Sequence, residues 1–222
     1  MFKRILIANR GEIAVRIART CKKMGIETVS IFSDADKNAM HVRESNFSVY
    51  VGKSLSEDSY LNIDNIIKAA KKYKVDAVHP GYGFLSENPT FSKKIKSNKL
   101  IFIGPSENSM KSMALKTEAR KLMEEAGVPV LPGFSVENKS KNLILKECRN
   151  IGFPVIIKAS AGGGGKGMHV INSEKEVISK LEATKREALS SFGDDKILIE
   201  QYLENPRHVE VQIMADNFGN VK

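Results

Sequence analysis

A strand that ends in lysine and opens into a run of glycines is the strongest chemical signal in this sequence. The strand ends at Lys158, and the run comprises Gly162, Gly163, Gly164, Gly165, Lys166, Gly167 and Met168. Glycine lets the backbone adopt positive φ, so that its N–H groups approach phosphate oxygens closely, and lysine adds positive charge. The segment therefore predicts a phosphate-binding loop.

Two other interpretations of the glycine run are weaker. A P-loop would need GxxxxGK[ST] followed by a helix, whereas this run lacks that spacing and leads into a second strand. A surface linker would mix glycine with serine and would rarely lie between two short strands of one small unit. The surrounding pattern thus favours a binding loop.

The elements before the glycine run alternate strands with amphipathic helices, which is typical of a mostly parallel sheet covered by helices. Gly104-Pro105-Ser106 interrupts this pattern, and we place a domain boundary near residue 115. The predicted strands are 3–8, 28–32, 48–51, 77–79 and 100–103, and the predicted helices are 12–24, 61–73, 107–113 and 117–126. The fold class is therefore α/β.

A smaller α/β unit is predicted after Pro132-Gly133. Its predicted helices are 142–150 and 175–190, and its predicted strands are 154–158, 169–171, 196–201 and 209–216. Residues 217–220 have the composition of a hairpin turn. A partner strand should begin at Val221, so we expect the chain to end within a hairpin, with an unpaired edge.

Composition limits the classes of function. The 222 residues are 41% hydrophobic and 27% charged, which is typical of a globular chain, and no apolar run approaches the ~20 residues of a membrane span. The net charge is +9, but the excess lies in scattered lysines without interleaved aromatic residues. We therefore expect neither a membrane nor a nucleic-acid partner.

Neither cysteines nor histidines show the spacing of metal ligands. Cys21 and Cys148 are far apart and are predicted to be buried free thiols. The four histidines are His41, His79, His169 and His208. No signal-peptide pattern precedes the first strand, so we expect the mature chain to begin at Met1 and to be cytoplasmic.

Five segments in order resemble biotin carboxylases, which are ATP-grasp enzymes, and the resemblance covers the whole chain. In chain order they are Ile7–Ala14, His79–Asn88, Phe102–Pro105, Val155–Ala159 with the glycine run, and Glu200–Glu210. The resemblance implies a Rossmann-like, parallel-sheet pre-ATP-grasp domain at 1–115, followed by an ATP-grasp domain at 116–222 that the chain does not complete. Within the second, it implies a lid at about 131–202 and the start of a central domain at 203–222.

The resemblance also implies roles for individual residues. Lys116 and Lys158 match lysines that contact ATP phosphates, and a mobile ammonium suits that role. The other implied ATP-binding positions are Gly162 to Met168, a hinge at Glu200, Gln201 and Leu203 that binds adenine, and His208 and Glu210 near the ribose and phosphates. Tyr82 and Glu87 match a segment that borders the biotin site.

Structural roles remain the alternative for several of these residues. Single lysines are commonly solvated, and an isolated histidine such as His208 is commonly a hydrogen-bonded structural residue. The turn from Asn9 to Glu12 lacks GxGxxG, so we predict that it is structural.

The activity implied by the resemblance is that of a ligase. In the family, ATP and bicarbonate form carboxyphosphate, which yields the CO2 that carboxylates biotin, and catalysis rests on positioning and charge neutralisation. The family's Mg²⁺ ligands, its bicarbonate-binding residues and its glutamate base would lie beyond Lys222, so we assign no metal ligand here. We expect the isolated chain to be a truncated form without turnover.

The partners implied by the resemblance are a biotin carboxyl carrier, a carboxyltransferase and a second copy of the full-length protein. Residues 187–195 are similar to the α chain of acyl-CoA carboxylases, such as those acting on methylcrotonyl-CoA. There are three alternative functions. The first is a carbamoyl-phosphate synthetase-like ligase, against which segments 79–88 and 204–210 argue. The second is a non-catalytic module, which MgATP binding without turnover would indicate. The third is a dehydrogenase, but this sequence lacks the dinucleotide fingerprint of that class.

Overall fold

The computed structural model describes residues 2–161 and 167–222. Its contacts divide the chain into two units, Met1–Ala114 and Leu115–Lys222, and each unit has its own hydrophobic core. None of the described helices is both long and apolar enough to cross a membrane. Cys21 and Cys148 are buried free thiols, which confirms that prediction.

The first unit is a five-stranded parallel sheet with the strand order β3-β2-β1-β4-β5. Its strands are β1 (Arg4–Ile7), β2 (Glu27–Ser33), β3 (Phe47–Gly52), β4 (Ala77–His79) and β5 (Ile101–Phe102). Its helices are α1 (Gly11–Lys23), α2 (Met40–Glu44), α3 (Ile63–Lys72), α4 (Pro89–Ser97) and α5 (Glu107–Ala114), with 3-10 turns at Asp34–Asp36 and Ser56–Asp58. This is the predicted Rossmann-like parallel sheet.

Successive side chains of a strand point to opposite faces of the sheet, and helices cover both faces of this one. Leu6 lies in the larger core together with apolar residues of α3, α4 and α5. Ile5 and Ile7 lie in the smaller core, where α1 contributes Ile13 and Ile17. The helices therefore switch faces between β1 and β4, and in open α/β sheets ligands bind beside such a switch point.

The second unit contains an antiparallel sheet with the order β6-β9-β7-β8. Its elements are α6 (Lys116–Glu125), β6 (Gly133–Ser135), α7 (Lys141–Ile151), β7 (Val155–Ala159), β8 (Met168–Ile171), α8 (Glu174–Phe192) and β9 (Ile197–Gln201). Ile157 and Ile199 pack with apolar residues of α7 and α8 on one face. The alternation of β7 directs Lys158 to the opposite face.

The structure corrects the predicted strand at 209–216. Residues 209–214 form no strand, and Val209, Val211 and Ile213 are exposed. The predicted turn is present, since the Phe218 N–H donates to Asp216 and an antiparallel bridge joins Ala215 to Val221. The alternating apolar pattern predicted a strand, but a strand also needs a neighbour along its whole length to pair its backbone groups.

Candidate functional site

A cluster of cations surrounds Glu200 at the end of β9. Lys158 Nζ donates to Glu200 Oε2 over 2.8 Å, and Arg120 Nη1 donates to Glu200 Oε1 over 2.9 Å. The side chains of Lys158, Glu200 and Arg120 are only 22%, 14% and 12% exposed. One largely covered carboxylate is therefore shared by two cations, one on each oxygen.

Lys116, the first residue of α6, lies beside the same cluster. Its Nζ donates to the Ala159 carbonyl over 3.1 Å, and its backbone N–H donates to the Ser160 carbonyl over 3.2 Å. Burial lowers the pKa of Lys116, the nearby Lys158 lowers it further, and Glu200 acts in the opposite direction. The ammonium of Lys116 is thus in a place where an additional negative charge would be stabilising.

The cluster carries more positive than negative charge. Besides Glu200, its nearest carboxylate is Glu124, which pairs with Arg120 over 2.9 Å at the solvent-exposed side of α6. Partly covered positive charge of this kind attracts anions more strongly than the same charge would in water. The arrangement is therefore suited to a polyphosphate.

The described end of the glycine run, Gly167, pairs with β7 next to Lys158. The Ala159 N–H donates to the Gly167 carbonyl over 2.8 Å, so the base of the loop is closed by a backbone hydrogen bond. Gly167 has φ +65°, and a Cβ there would lie 2.9 Å from the Ala159 side chain. Met168 follows, opposite Lys158 in the sheet. The predicted site residues Gly162 to Lys166 lie outside the described residues.

Glu187 of α8 is a contact at the loop base that the sequence analysis missed. Its carboxylate accepts from the Gly167 N–H and lies near His169 Nε2, both over 3.2 Å. Glu187 is 20 residues from Gly167 along the chain. No local sequence pattern signals a contact between a helix and a loop at that separation.

The structure brings only some of the predicted ATP-binding residues to the Glu200 cluster. The Gln201 N–H donates to the Pro132 carbonyl over 2.9 Å, and Leu203 follows with a partly exposed side chain. His208 and Glu210 contact each other over 2.7 Å and are exposed to solvent. Within the described residues, no hydrogen bond joins that pair to Lys158 or Glu200.

In the first unit, Asn9 holds the segment that contains Tyr82. The Asn9 amide donates to the carbonyls of Pro80 and Tyr82, each over 2.7 Å, and a Cβ on Gly81 would lie 2.7 Å from the amide nitrogen. These contacts fix the backbone from Pro80 to Tyr82, and the structural role of the turn from Asn9 to Glu12 stays a prediction.

Tyr82 and Glu87 lie after the carboxyl end of β4. The Tyr82 hydroxyl donates to the Glu12 carboxylate, and this hydrogen bond raises the pKa of Tyr82. Glu87 is exposed. Asn9, which follows β1, fixes the backbone of this segment at the edge of the sheet beside the switch point. The side chains of Tyr82 and Glu87 face solvent.

A metal centre built from acidic, histidine and cysteine side chains is not found among residues 2–161 and 167–222. No three such side chains there are close enough to share an ion.

Two family models match consecutive parts of the chain. Residues 1–110 match the biotin carboxylase N-terminal domain, and residues 116–222 match the ATP-binding domain of the carbamoyl-phosphate synthase L chain.

Similar proteins span the whole chain. Biotin carboxylase 1 of Bacillus subtilis (strain 168) is 48% identical over 222 residues, which are 99% of this chain and 49% of that protein. The mitochondrial propionyl-CoA carboxylase alpha chain of Mus musculus is 48% identical over 219 residues, 99% of this chain and 30% of that protein. The crystal structure of a biotin carboxylase complex with beta-gamma-ATP from Campylobacter jejuni has a TM-score of 0.93 at 45% identity and covers 100% of this chain and 50% of that one.

The chain therefore spans about half the length of the bacterial biotin carboxylases that it matches. The model for residues 1–110, the sequence relatives and the solved structure are all of biotin carboxylases or carboxylase alpha chains, and the model for residues 116–222 is of an ATP-binding domain. The chain belongs to the biotin carboxylase family.

Proposed function

We propose that the chain supplies the nucleotide-binding part of an ATP-dependent biotin carboxylase. The observation that carries this proposal is the Glu200 cluster, in which Lys116, Lys158 and Arg120 gather at the base of a glycine run. The similar Campylobacter jejuni structure is a complex with beta-gamma-ATP, which supports the choice of ligand. The 48% identity to a biotin carboxylase along the whole chain favours this enzyme over a carbamoyl-phosphate synthetase-like ligase.

Each predicted site residue keeps a defined role in this proposal. Lys116 and Lys158 bind nucleotide phosphates and stabilise the negative charge that moves during phosphoryl transfer. The backbone N–H groups from Gly162 to Met168 close over the phosphates. Glu200, Gln201 and Leu203 border the adenine, whereas His208 and Glu210 approach the ribose and phosphates. Tyr82 and Glu87 border the biotin site.

The reaction that we propose joins bicarbonate to biotin at the expense of ATP. Bicarbonate attacks the γ-phosphorus, which gives ADP and carboxyphosphate. Carboxyphosphate then breaks down to CO2 and phosphate, the phosphate takes the proton of the ureido nitrogen of carrier-bound biotin, and that nitrogen forms its new bond to the carbon of CO2. A solved biotin carboxylase domain dimer from Hydrogenobacter thermophilus, 39% identical with a TM-score of 0.90, is a complex with MgADP, ADP and bicarbonate. We therefore propose Mg²⁺ as the ion that accompanies the nucleotide and neutralises part of its charge.

The domain limits and partners are also proposals. Family matches at residues 1–110 and 116–222 support domains at 1–115 and 116–222, with a lid at about 131–202 and a central part from 203. We propose a biotin carrier, a carboxyltransferase and a second copy as partners. Relatives named for propionyl-CoA, methylcrotonoyl-CoA and pyruvate are 46–48% identical, so identity does not distinguish the acceptor. A cytoplasmic location stays a prediction.

A chimera tests the activity directly. The matching half of Bacillus subtilis biotin carboxylase 1 is replaced by this chain, and ATP hydrolysis that depends on bicarbonate and biotin is measured. We expect turnover by the chimera and none by the 222-residue chain alone, because this chain spans only 49% of that enzyme.

The matched control is a chimera that carries Lys158→Gln, for which we expect turnover to fall by about a hundredfold or more, as for the loss of a transition-state charge contact. A folded chimera that binds ATP but never turns over would contradict the proposed activity and would favour a non-catalytic nucleotide-binding module.

A further inference from the structure

The carboxylate of Glu200 is divided between two cations that come from different elements. Lys158 of β7 occupies Oε2, and Arg120 of α6 occupies Oε1. Arg120 is itself held by Glu124, one helical turn further along α6, over 2.9 Å. The two cations therefore contact different oxygens of Glu200, so that the contact with Lys158 can break while the contact with Arg120 remains.

A nucleotide phosphate and Glu200 compete for Lys158. When Lys158 turns to a phosphate oxygen, Glu200 keeps its negative charge in a place that is 14% exposed. A covered carboxylate left without a cation is strongly unfavourable. Arg120 removes that penalty because its guanidinium stays on the other oxygen of Glu200.

We propose that Arg120 is a positioning residue for nucleotide binding, which neutralises Glu200 so that Lys158 exchanges its contact with Glu200 for one with a phosphate. This proposal rests on the proposed function and adds to it a residue outside the implied ATP-binding set. Without Arg120, Lys158 would be the remaining cation in direct contact with Glu200. The phosphate would then have to break a tighter Lys158–Glu200 ion pair in order to bind Lys158. Affinity for polyphosphates should then fall, whereas affinity for the nucleoside should not.

The test compares Arg120→Gln with Lys121→Gln, which removes the same charge from the next position of α6. Lys121 is 71% exposed, and its contact with Glu125 is 3.9 Å long. The dissociation constants of MgATP and of adenosine, which carries no phosphate, are measured by calorimetry. We expect Arg120→Gln to weaken MgATP about tenfold, as for the loss of one charge-assisted contact, and to leave adenosine unchanged. Lys121→Gln should change both by less than about twofold.

Two results would overturn the proposal. Equal losses for MgATP and adenosine would show that Arg120 only maintains the fold, and an unchanged MgATP affinity would show that it plays no part. Arg120→Lys, which keeps the charge, should recover most of the MgATP affinity. If Arg120→Gln does not fold, the comparison is made with Glu124→Gln, which should bind MgATP at least as tightly as the original chain because it leaves Arg120 to Glu200 alone. Weaker binding by Glu124→Gln would count against the proposal.

A second readout separates this proposal from the proposed function. Acetic anhydride labels lysines that lose their proton, and mass spectrometry reports the extent at Lys158 in the nucleotide-free chain. In Arg120→Gln the undivided pair with Glu200 should reduce labelling of Lys158 several-fold, since a charge-assisted contact that is no longer shared holds the amine more tightly. Unchanged labelling would overturn the coupling between Arg120 and Lys158. Reduced labelling in a chain that binds no nucleotide would overturn the proposed function and leave only that coupling.

Discussion

At the scale of single residues, one carboxylate in the first unit has the most complete set of partners. Asp36 is 6% exposed and accepts hydrogen bonds from Arg10 Nε, Arg10 Nη2 and the Tyr60 hydroxyl, each over 2.6 Å. Ser33 adds a longer contact of 3.3 Å. These partners fix the chain where it leaves β2, and they favour the ionised form of Asp36.

This contact set predicts a defined pH dependence of stability. The hydrogen bond from Arg10, followed by that from Tyr60, lowers the pKa of Asp36 from 3.8 to about 2, despite the opposing effect of burial. Because the folded pKa lies below the unfolded value, the stabilisation is present above about pH 4 and is lost as the pH falls towards 2. We expect Asp36→Asn to remove roughly 2 kcal/mol of this stabilisation.

Urea unfolding at a series of pH values checks the Asp36 prediction. The difference in free energy of unfolding between the original chain and Asp36→Asn should shrink between about pH 4 and 2. Asp64→Asn is the control, since Asp64 pairs with Lys94 at an exposed position and should cost little. A difference that does not change with pH would show that Asp36 acts through shape alone.

The sequence revealed the residues of local motifs and missed those that depend on distant contacts. Lys158 and the glycine run were predicted because type and spacing stand together in one segment. Arg120 and Glu200 are separated by 80 residues, and Glu187 is 20 residues from Gly167. Glu200 was predicted from its motif, but its contact with Arg120 and the contact of Glu187 with Gly167 arise only from the packing of α6 and α8 against the sheet. No local pattern could therefore have identified Arg120 or Glu187.

At the scale of elements, the base of the glycine run depends on close packing of β7 against Gly167. Gly167→Ala should lower the free energy of unfolding by about 3 kcal/mol, because it combines a left-handed backbone with a Cβ placed 2.9 Å from Ala159. Gly193→Ala is the matched control, since φ is +70° and nothing lies within 4 Å of the added Cβ. It should cost about 1 kcal/mol.

Chemical denaturation of the two glycine variants measures this difference. Equal losses would show that the contact with Ala159 relaxes without cost, and that only the backbone conformation matters. A larger loss for Gly167→Ala would place the packing of the loop base among the requirements of the fold.

Most helices and strands could be predicted from periodicity, and the exceptions have physical reasons. α4 was missed although Asn88 caps it by accepting from the Phe91 N–H and Pro89 occupies its first turn, because the glycines before it suggested a loop. β6 was missed because three residues that begin with glycine carry almost no period. The strand predicted at 209–216 was wrong because an apolar alternation does not supply a pairing partner.

At the scale of the whole molecule, the two units have separate cores, and each has its own candidate site residues. The first presents Tyr82 at the switch point of a parallel sheet, and the second presents the Glu200 cluster at the end of β9. The sequence predicted this division through the break at Gly104-Pro105-Ser106 and the change in strand pattern after it. We propose that the second unit binds the phosphates of ATP.

The most direct test is calorimetric titration of the 222-residue chain with MgATP, beside Lys158→Gln and the control Lys121→Gln. We expect saturable binding at one site, weakened about tenfold or more by Lys158→Gln and unchanged by Lys121→Gln, because Lys158 supplies a charge-assisted contact to phosphate. Absence of binding by the original chain, or binding that is indifferent to Lys158→Gln, would contradict the claim that this cluster is the phosphate site.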